Sequence, residues 1–112
     1  MVENLLDKKC QVCEYGDFTP FTKVEAQSYL QKLPLWQLSV CGKKITRIFE
    51  FKGFYKTMAF VNAVAWVANS EGHHPDLEVS FNRCVVHFTT HAVDGLTEND
   101  FICAAKVDAL LN

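Results

Sequence analysis

The sequence predicts an α+β domain in which three helices cover one face of a four-stranded antiparallel sheet, in the order α-β-β-α-β-β-α. Two observations support this fold class. Apolar residues recur at helical spacing in three segments, and between these segments lie four short runs in which apolar and polar residues alternate. Because short turns join the runs in pairs, we expect antiparallel pairing, and the apolar stripes of the helices need a sheet face to cover.

The first helix and the first hairpin are expected in the N-terminal half. A capping-box pattern at Thr22 opens a run of helical apolar spacing, and Pro34 stops that run. Residues 36–40 then alternate between apolar and polar side chains, Gly42 supplies a turn, and residues 45–51 resume the alternation. This pattern predicts one helix followed by a two-stranded hairpin.

The second helix is expected over residues 54–69, a segment too long and too rich in alanine and methionine to be a strand. Its middle part, residues 58–68, is apolar on nearly all sides, which predicts a central buried helix. Gly72 suits the left-handed residue that ends a helix, and Pro75 prevents the helix from resuming.

A second hairpin and a last helix complete the predicted order. Residues 79–81 alternate before a turn, and residues 84–91 continue as a strand that places His87 and His91 on the same side. A second capping pattern at residues 97–100 opens the C-terminal helix.

Residues 1–20 lack clear periodicity, so we interpret them as an irregular leader that precedes a single domain over residues 21–112. The leader carries Cys10 and Cys13 in a CxxC pattern without a second ligand pair. This pattern favours thiols that pack, with metal binding or redox use as alternatives. The chain has five cysteines, an odd number in a domain that needs no disulfide framework, which favours reduced thiols and a cytoplasmic location.

Composition and charge argue against several classes of function. The 112 residues carry a net charge of -2, so no basic surface is expected to attract nucleic acid. The longest apolar stretch, residues 58–68, is too short to span a bilayer, and the first nine residues hold no apolar targeting segment. Because a domain of this size would expose part of its apolar helix, we expect a homo-oligomer.

Three of the four histidines stand near predicted element ends. His73 and His74 fall in the loop after the second helix, and His91 ends the last strand. Imidazole exchanges protons near neutral pH and also binds metals, so converging histidines predict either acid–base catalysis or a three-histidine metal site. A polar helix-ending turn without a function is the alternative. The sequence contains no nucleophile motif, glycine-rich phosphate loop or zinc-protease helix.

Several of these segments resemble the signature of the pterin-4a-carbinolamine dehydratases. The matching motifs are Glu71-Gly-His-His-Pro75, Phe81, Thr90-His91 and Gly95-Leu-Thr-Glu-Asn-Asp-Phe101. The resemblance extends back through Leu33-Pro-Leu-Trp36, Phe51-Lys-Gly-Phe54 and Phe60-Val-Asn-Ala-Val64, and so covers roughly residues 22–110. The leader CxxC is similar to that of bacterial members that accompany phenylalanine hydroxylase. One departure is Asn69, where members often carry a charged residue.

The resemblance implies dehydration of 4a-hydroxytetrahydropterin to quinonoid dihydropterin, which recycles the pterin cofactor of aromatic amino-acid hydroxylases. It implies His73 and His91 as the acid–base residues, and His74 and Asp100 as substrate-binding residues. It also implies a small-molecule pterin ligand, no metal or other cofactor, dimers or tetramers, and a functional link to phenylalanine hydroxylase. His87 lies outside the motif and is expected to be a hydrogen-bonded strand histidine.

Two alternatives accompany this hypothesis. Asp100 could serve only to complete the capping pattern of the last helix, although both roles can hold together. A different class of function is a binding protein, because relatives of this fold resemble dimerisation partners of a transcription factor and a fold does not determine function. The intact set of His73, His74 and His91 favours the enzyme.

Overall fold

The computed structural model describes residues 4–11 and 19–111, so Cys13 lies outside the described residues. It confirms the predicted order of helices and strands. No helix in those two ranges is long and apolar enough to cross a membrane. The elements are α1 (Lys23–Leu30), β1 (Gln37–Leu38), β2 (Ile45–Glu50), α2 (Phe54–Glu71), β3 (Asp76–Ser80), β4 (Arg83–Phe88) and α3 (Glu98–Ala109), with short 3-10 helices at Leu5–Asp7 and His91–Val93.

The four strands form one antiparallel sheet in the order β1-β2-β4-β3. The two hairpins meet at β2 and β4, whose register runs from Ile45 opposite Phe88 to Glu50 opposite Arg83. Because β4 is a central strand, the chain that leaves it emerges near the middle of the sheet and not at an edge.

The helices cover one face of this sheet, as predicted. Ile45 and Phe49 of β2 join Val86 and Phe88 of β4 in the buried core, together with residues of all three helices. The alternate residues point to the opposite face, where Ile48 is 54% exposed. The sheet therefore has one face covered by the helices and one face that is partly open to solvent, on which Val85 is still only 8% exposed.

His87 lies on the open face of the sheet, opposite Thr46 on the neighbouring strand. Its Nδ1 atom contacts the Thr46 hydroxyl at 2.7 Å, and its Nε2 atom contacts the Glu78 carboxylate. This hydrogen bond and the charge of the imidazole lower the pKa of the Glu78 carboxyl. Both ring nitrogens of His87 have partners, which confirms the prediction of a hydrogen-bonded strand histidine.

α2 ends at Gly72, as predicted, because this residue adopts a left-handed conformation with φ 65° and its N–H donates to the Ala68 carbonyl. In the single chain the predicted central helix is buried on one face only, and part of its apolar surface is exposed, as expected for a domain of this size. Tyr55 and Trp66 are 90% and 73% exposed. The buried residues of the helix are Thr57, Phe60, Val64 and Ala68. The apolar residues of α2 thus occupy two faces, of which only one meets the core.

The last strand is shorter than predicted. β4 ends at Phe88 and does not reach His91, because Thr90 forms only an isolated bridge with Gly95 and His91 begins a 3-10 helix. Asp94 takes a left-handed conformation with φ 52° and donates its N–H to the His91 carbonyl at 3.2 Å. This turn directs the chain from the sheet toward α3.

A half-buried ion pair holds the end of α3 against the sheet. The Oδ1 atom of Asp108 accepts hydrogen bonds from the Trp36 indole at 2.9 Å and from the Arg47 guanidinium at 2.6 Å. The Arg47 and Asp108 side chains are 18% and 24% exposed, so water screens this pair less than a surface pair.

We expect Asp108→Asn to destabilise the protein by about 1.5 to 3 kcal/mol, the usual contribution of hydrogen bonds to a charged group. The matched control is Asp94→Asn, which removes the exposed ion pair with Lys43 while keeping a residue type that tolerates a left-handed conformation. Its expected effect is below about 1 kcal/mol. Urea unfolding curves measure both values, and equal losses of stability would contradict this account of the α3 contact.

Candidate active site

A cleft of about 400 Å³ opens at the end of the sheet where α2 and β4 finish. This volume is within the range of about 300 to 1,000 Å³ that is usual for small-molecule sites. Four parts of the chain contribute to the cleft: the end of α2, the exit of β4, the start of α3 and the N-terminal segment. The lining residues are Cys10, Gln11, Glu71, Gly72, His73, His74, Thr89, Thr90, His91, Ala92 and Asn99.

The helix end of α2 positions His73 and His74. The backbone N–H of His73 donates to the Ala68 carbonyl at 3.2 Å, so the residue is still attached to the last turn of the helix. The His73 side chain is 12% exposed and its ring lies parallel to that of Phe88, with 6.1 Å between the centroids. His74 is exposed. The two neighbouring histidines therefore differ in environment, one packed on the core and the other open to solvent.

His73 forms a hydrogen bond with a buried carboxylate. Its Nε2 atom lies 2.6 Å from Oδ1 of Asp100, a residue with no exposed surface. The other oxygen, Oδ2, accepts a hydrogen bond from the Thr90 hydroxyl at 2.7 Å and one from the Thr97 N–H at 3.0 Å. A carboxylate only accepts hydrogen bonds, so this contact assigns a proton to Nε2 and leaves Nδ1 of the neutral imidazole with a free lone pair.

Asp100 combines the two roles that the sequence left open. Its hydrogen bond from the Thr97 N–H caps α3, and its contact with His73 brings it into the candidate site. The carboxyl group is not among the groups that line the cleft. Direct binding of substrate by Asp100 stays a prediction, and the contacts support an action through the His73 ring.

His91 lines the same cleft as the end of α2. It is the first residue of the 3-10 helix His91–Val93 and is exposed. The preceding residue, Thr90, donates a hydrogen bond to the Asp100 carboxylate. His73, His74 and His91 thus line one cleft, whereas His87 lies on the open face of the sheet.

Glu71 is a cleft-lining residue whose carboxylate accepts two hydrogen bonds. Its side chain is 7% exposed, and it accepts hydrogen bonds from the Lys106 ammonium at 2.6 Å and the Cys10 N–H at 2.9 Å. Burial alone raises the pKa of the Glu71 carboxyl, but these hydrogen bonds and the Lys106 charge outweigh burial and lower it. The pKa of the Cys10 thiol is raised by its hydrogen bond with Cys103, by burial and by the Glu71 charge.

Sequence reasoning did not identify the partners that support the histidines. Thr90, Glu71 and Asn99 each belong to a recognised motif, but their roles depend on contacts between elements far apart in the chain. Asn69, the departure from the family pattern, is exposed and does not line the cleft. Within residues 4–11 and 19–111, no group of three or more His, Cys, Asp or Glu side chains is arranged to hold a metal ion.

The fold is similar to those of two solved structures, one described as a pterin dehydratase and one as pterin dehydratase-like. A Brucella melitensis structure described as a transcriptional coactivator/pterin dehydratase aligns with a TM-score of 0.79 and 33% identity, covering 84% of this chain and 100% of that one. A pterin dehydratase-like protein, described as a RuBisCO assembly factor in the α-carboxysome, aligns with a TM-score of 0.59 over 67% of this chain and 87% of that one. At 24% identity, the second structure supports only the fold.

The chain belongs to the pterin 4 alpha carbinolamine dehydratase family, whose sequence profile matches residues 19–110. A provisionally named pterin-4-alpha-carbinolamine dehydratase of Nitrosomonas eutropha is 56% identical over 109 residues, which cover 96% of this chain and 94% of the relative. A protein with the same provisional name from Legionella pneumophila strain Corby is 52% identical over 112 residues, covering 99% of this chain and 98% of the relative.

The lowered pKa of Glu71 predicts how stability depends on pH. A carboxyl whose pKa falls on folding stabilises the native state above its usual value of 4.5, and this contribution disappears as the pH falls through the folded pKa. We therefore expect Glu71→Gln to lower the free energy of unfolding by about 1.5 to 3 kcal/mol near pH 7, with the difference from wild type shrinking below about pH 4.5. Urea unfolding across that pH range measures the difference.

Glu50→Gln is the control for this measurement, because it removes one negative charge at an exposed position on β2. Its effect on stability should be small at each pH. A Glu71→Gln difference that stayed constant from neutral to acid pH would show that the hydrogen-bonded carboxylate is not the source of the stability.

Proposed function

We propose that this protein catalyses the dehydration of 4a-hydroxytetrahydropterin to quinonoid dihydropterin and water. The observation that carries the proposal is the cleft of about 400 Å³ lined by His73, His74 and His91, with Asp100 buried behind His73, in a chain of this family. The reaction needs two proton-handling groups and no thiolate, and imidazole suits both tasks near neutral pH.

The proposed chemistry moves two protons. The C4a–O bond breaks while a proton reaches the leaving hydroxyl, and the N5–H bond breaks while the C4a=N5 double bond forms. His73 is suited to accept the N5 proton through Nδ1, because the Asp100 carboxylate fixes the ring and stabilises the imidazolium that results. His91 is suited to donate a proton to the hydroxyl, because its exposed ring exchanges protons with water.

His74 and Asp100 complete the proposed machinery. His74 shares the cleft but is not hydrogen-bonded to Asp100, so we assign it to binding of the pterin. Asp100 acts through His73. A hydrogen bond between His and a carboxylate sets which ring nitrogen carries the proton, and its loss allows the ring to adopt the unproductive tautomer.

The proposed physiological role is recycling of the pterin cofactor used by aromatic amino-acid hydroxylases, with phenylalanine hydroxylase as the functional partner and the cytoplasm as the location. The four cysteines of the described residues, Cys10, Cys41, Cys84 and Cys103, are free thiols, which is compatible with a reducing compartment. The reaction as proposed requires no metal or prosthetic group.

A second candidate function is protein binding without catalysis. One observation favours it: the Brucella structure is described both as a transcriptional coactivator and as a pterin dehydratase. The two functions make different demands on the cleft. In a binding-only protein the contact between His73 and the buried Asp100 carboxylate would serve folding alone, so turnover by folded variants of the histidines discriminates between the candidates.

We also propose a homo-oligomer, either a dimer or a tetramer, assembled through the exposed face of α2. Tyr55, Ala59, Asn62 and Trp66 follow one another at helical spacing and are all exposed. Two large aromatic side chains with 90% and 73% exposure on one helix face are unusual for a monomer surface.

Light scattering tests the oligomer. We expect a species larger than 12.7 kDa at micromolar concentration, and we expect Trp66→Glu to shift the population toward the monomer. Val40→Glu is the matched control, because Val40 is 93% exposed in the β1–β2 turn and its replacement should leave the assembly intact. A wild-type protein found only at 12.7 kDa would overturn the proposal.

Kinetics of single-histidine variants test the mechanism. We expect His73→Ala and His91→Ala to lower kcat by about 10²- to 10⁴-fold, because each removes a positioned acid or base. We expect His74→Ala to raise KM more than it lowers kcat, since loss of one neutral hydrogen bond to the pterin is worth about 1 kcal/mol. His87→Ala is the control, because this histidine lies outside the cleft.

Rates in these assays must be corrected for spontaneous dehydration of the carbinolamine, and circular dichroism must show that each variant is folded. Asp100→Asn belongs in the same series and should alter the pH profile of kcat through His73. If His73→Ala and His91→Ala both retained full kcat, the acid–base assignment would be wrong and the binding-only function would be preferred.

A further inference from the structure

Residues 8–11 are here called the strap. Two of them, Cys10 and Gln11, line the cleft although they precede the family profile, which begins at residue 19. The alignment with the Legionella relative includes this region, because it spans 99% of this chain. The Brucella structure, by contrast, is fully covered by 84% of this chain. We propose that the strap is a wall of the active site and that Cys10 is a positioning residue for the His73–Asp100 pair, an inference that rests on the proposed function.

The strap is bonded to the end of α2. The backbone N–H of Cys10 donates to Oε1 of Glu71 at 2.9 Å, and the other oxygen of Glu71 binds Lys106 of α3. Glu71 is two residues before His73. A displacement of the strap would therefore remove one of the two hydrogen bonds that hold the carboxylate next to the proposed base.

The strap is also bonded to the start of α3. The Gln11 N–H donates to Oδ1 of Asn99 at 3.0 Å, and the Asn99 amide donates to the Gln11 carbonyl at 2.7 Å. Lys8 forms an ion pair with Glu98 at 2.6 Å. Asn99 immediately precedes Asp100, so this reciprocal pair of hydrogen bonds fixes the backbone that carries the buried carboxylate.

The Cys10 thiol makes a third contact of the strap, in addition to those with the end of α2 and the start of α3. Its Sγ atom lies 3.5 Å from Sγ of Cys103 and 3.6 Å from the Asn99 carbonyl, and Sγ of Cys103 lies 4.0 Å from the His73 carbonyl. Cys10 thus touches groups on both sides of the His73–Asp100 hydrogen bond. The strap connects the end of α2 with the start of α3, and the separation of these two helix ends sets the length of the His73–Asp100 hydrogen bond.

A buried anchor outside the cleft holds the strap in place. Leu5, in the 3-10 helix Leu5–Asp7, is 5% exposed and belongs to the hydrophobic core, whereas its neighbour Leu6 is 42% exposed. Replacing Leu5 can therefore detach the strap without substituting any residue that lines the cleft. Leu6 offers a control in the same short helix.

The first experiment compares Leu5→Asp with Leu6→Asp in the full chain, using the carbinolamine assay. We expect Leu5→Asp to raise KM on the order of tenfold, because one wall of the cleft is lost, and to lower kcat less than His73→Ala does. Leu6→Asp should behave as wild type. Leu33→Ala, which truncates a core residue away from the cleft, controls for a general loss of stability.

The second experiment restores the strap covalently. In a chain that carries Leu5→Asp, Cys13→Ser and Cys41→Ser, a diazene oxidant should join Cys10 to Cys103. Two S–H bonds break, one S–S bond forms, and the two electrons and two protons convert the N=N bond of the diazene to a hydrazine. We expect peptide mapping to find the Cys10–Cys103 disulfide and KM to return toward the wild-type value.

The outcomes separate the two proposals. Absence of turnover in the wild-type chain would contradict the proposed function. Normal turnover with an unchanged KM in Leu5→Asp would contradict the strap. A disulfide that forms but leaves KM raised would also contradict it, because the loss would then come from the core. The last control is a chain that keeps Leu5 and carries only Cys13→Ser and Cys41→Ser. If Cys10 and Cys103 did not cross-link in this chain, the strap would not lie against the cleft as proposed.

Discussion

The hydrogen bond between His73 and Asp100 is the contact on which the candidate site depends. A carboxylate without exposed surface must have hydrogen-bond partners, because an unpaired buried charge is strongly destabilising. Asp100 obtains them from three parts of the chain: the α2 exit, Thr90 two residues after β4, and Thr97 at the N-cap of α3. The demand for paired oxygens therefore draws together the elements that carry His73 and His91. The same contact supports folding and proposed catalysis.

Much of the fold could be predicted because its signals are local. Gly72 and Pro75 mark the end of α2, and alternation of apolar and polar residues marks the strands. The element order predicted from these signals is confirmed. The sequence predicts that part of α2 is exposed but not which face, since an apolar surface has the same sequence pattern whether it meets the core or a second subunit. Trp66 exemplifies this, being apolar in the sequence and 73% exposed in the single chain. The early end of β4 depends on the Asp94 turn, which follows the strand.

Less of the site could be predicted. The histidine motif indicates His73, His74 and His91 as candidates, with a polar helix-ending turn as the alternative, and all three line one cleft. Contacts between Cys10 and Cys103, by contrast, join residues that are 93 positions apart in the chain. No periodicity or spacing records such a contact. The leader therefore looks irregular in sequence, although its described residues include a core side chain and part of the cleft wall.

The cleft has a more rigid side, here called the stiff side, which carries His73 at the end of α2, and a more flexible side, here called the soft side, which carries His91. His73 is held through its backbone by the last turn of α2 and through its ring by Asp100. His91 stands exposed on a three-residue turn. Ordering the soft side on binding involves a larger loss of conformational entropy than ordering the stiff side. Entry and exit of a ligand are thus expected past His91, while His73 is expected to retain its orientation when the cleft is filled and emptied.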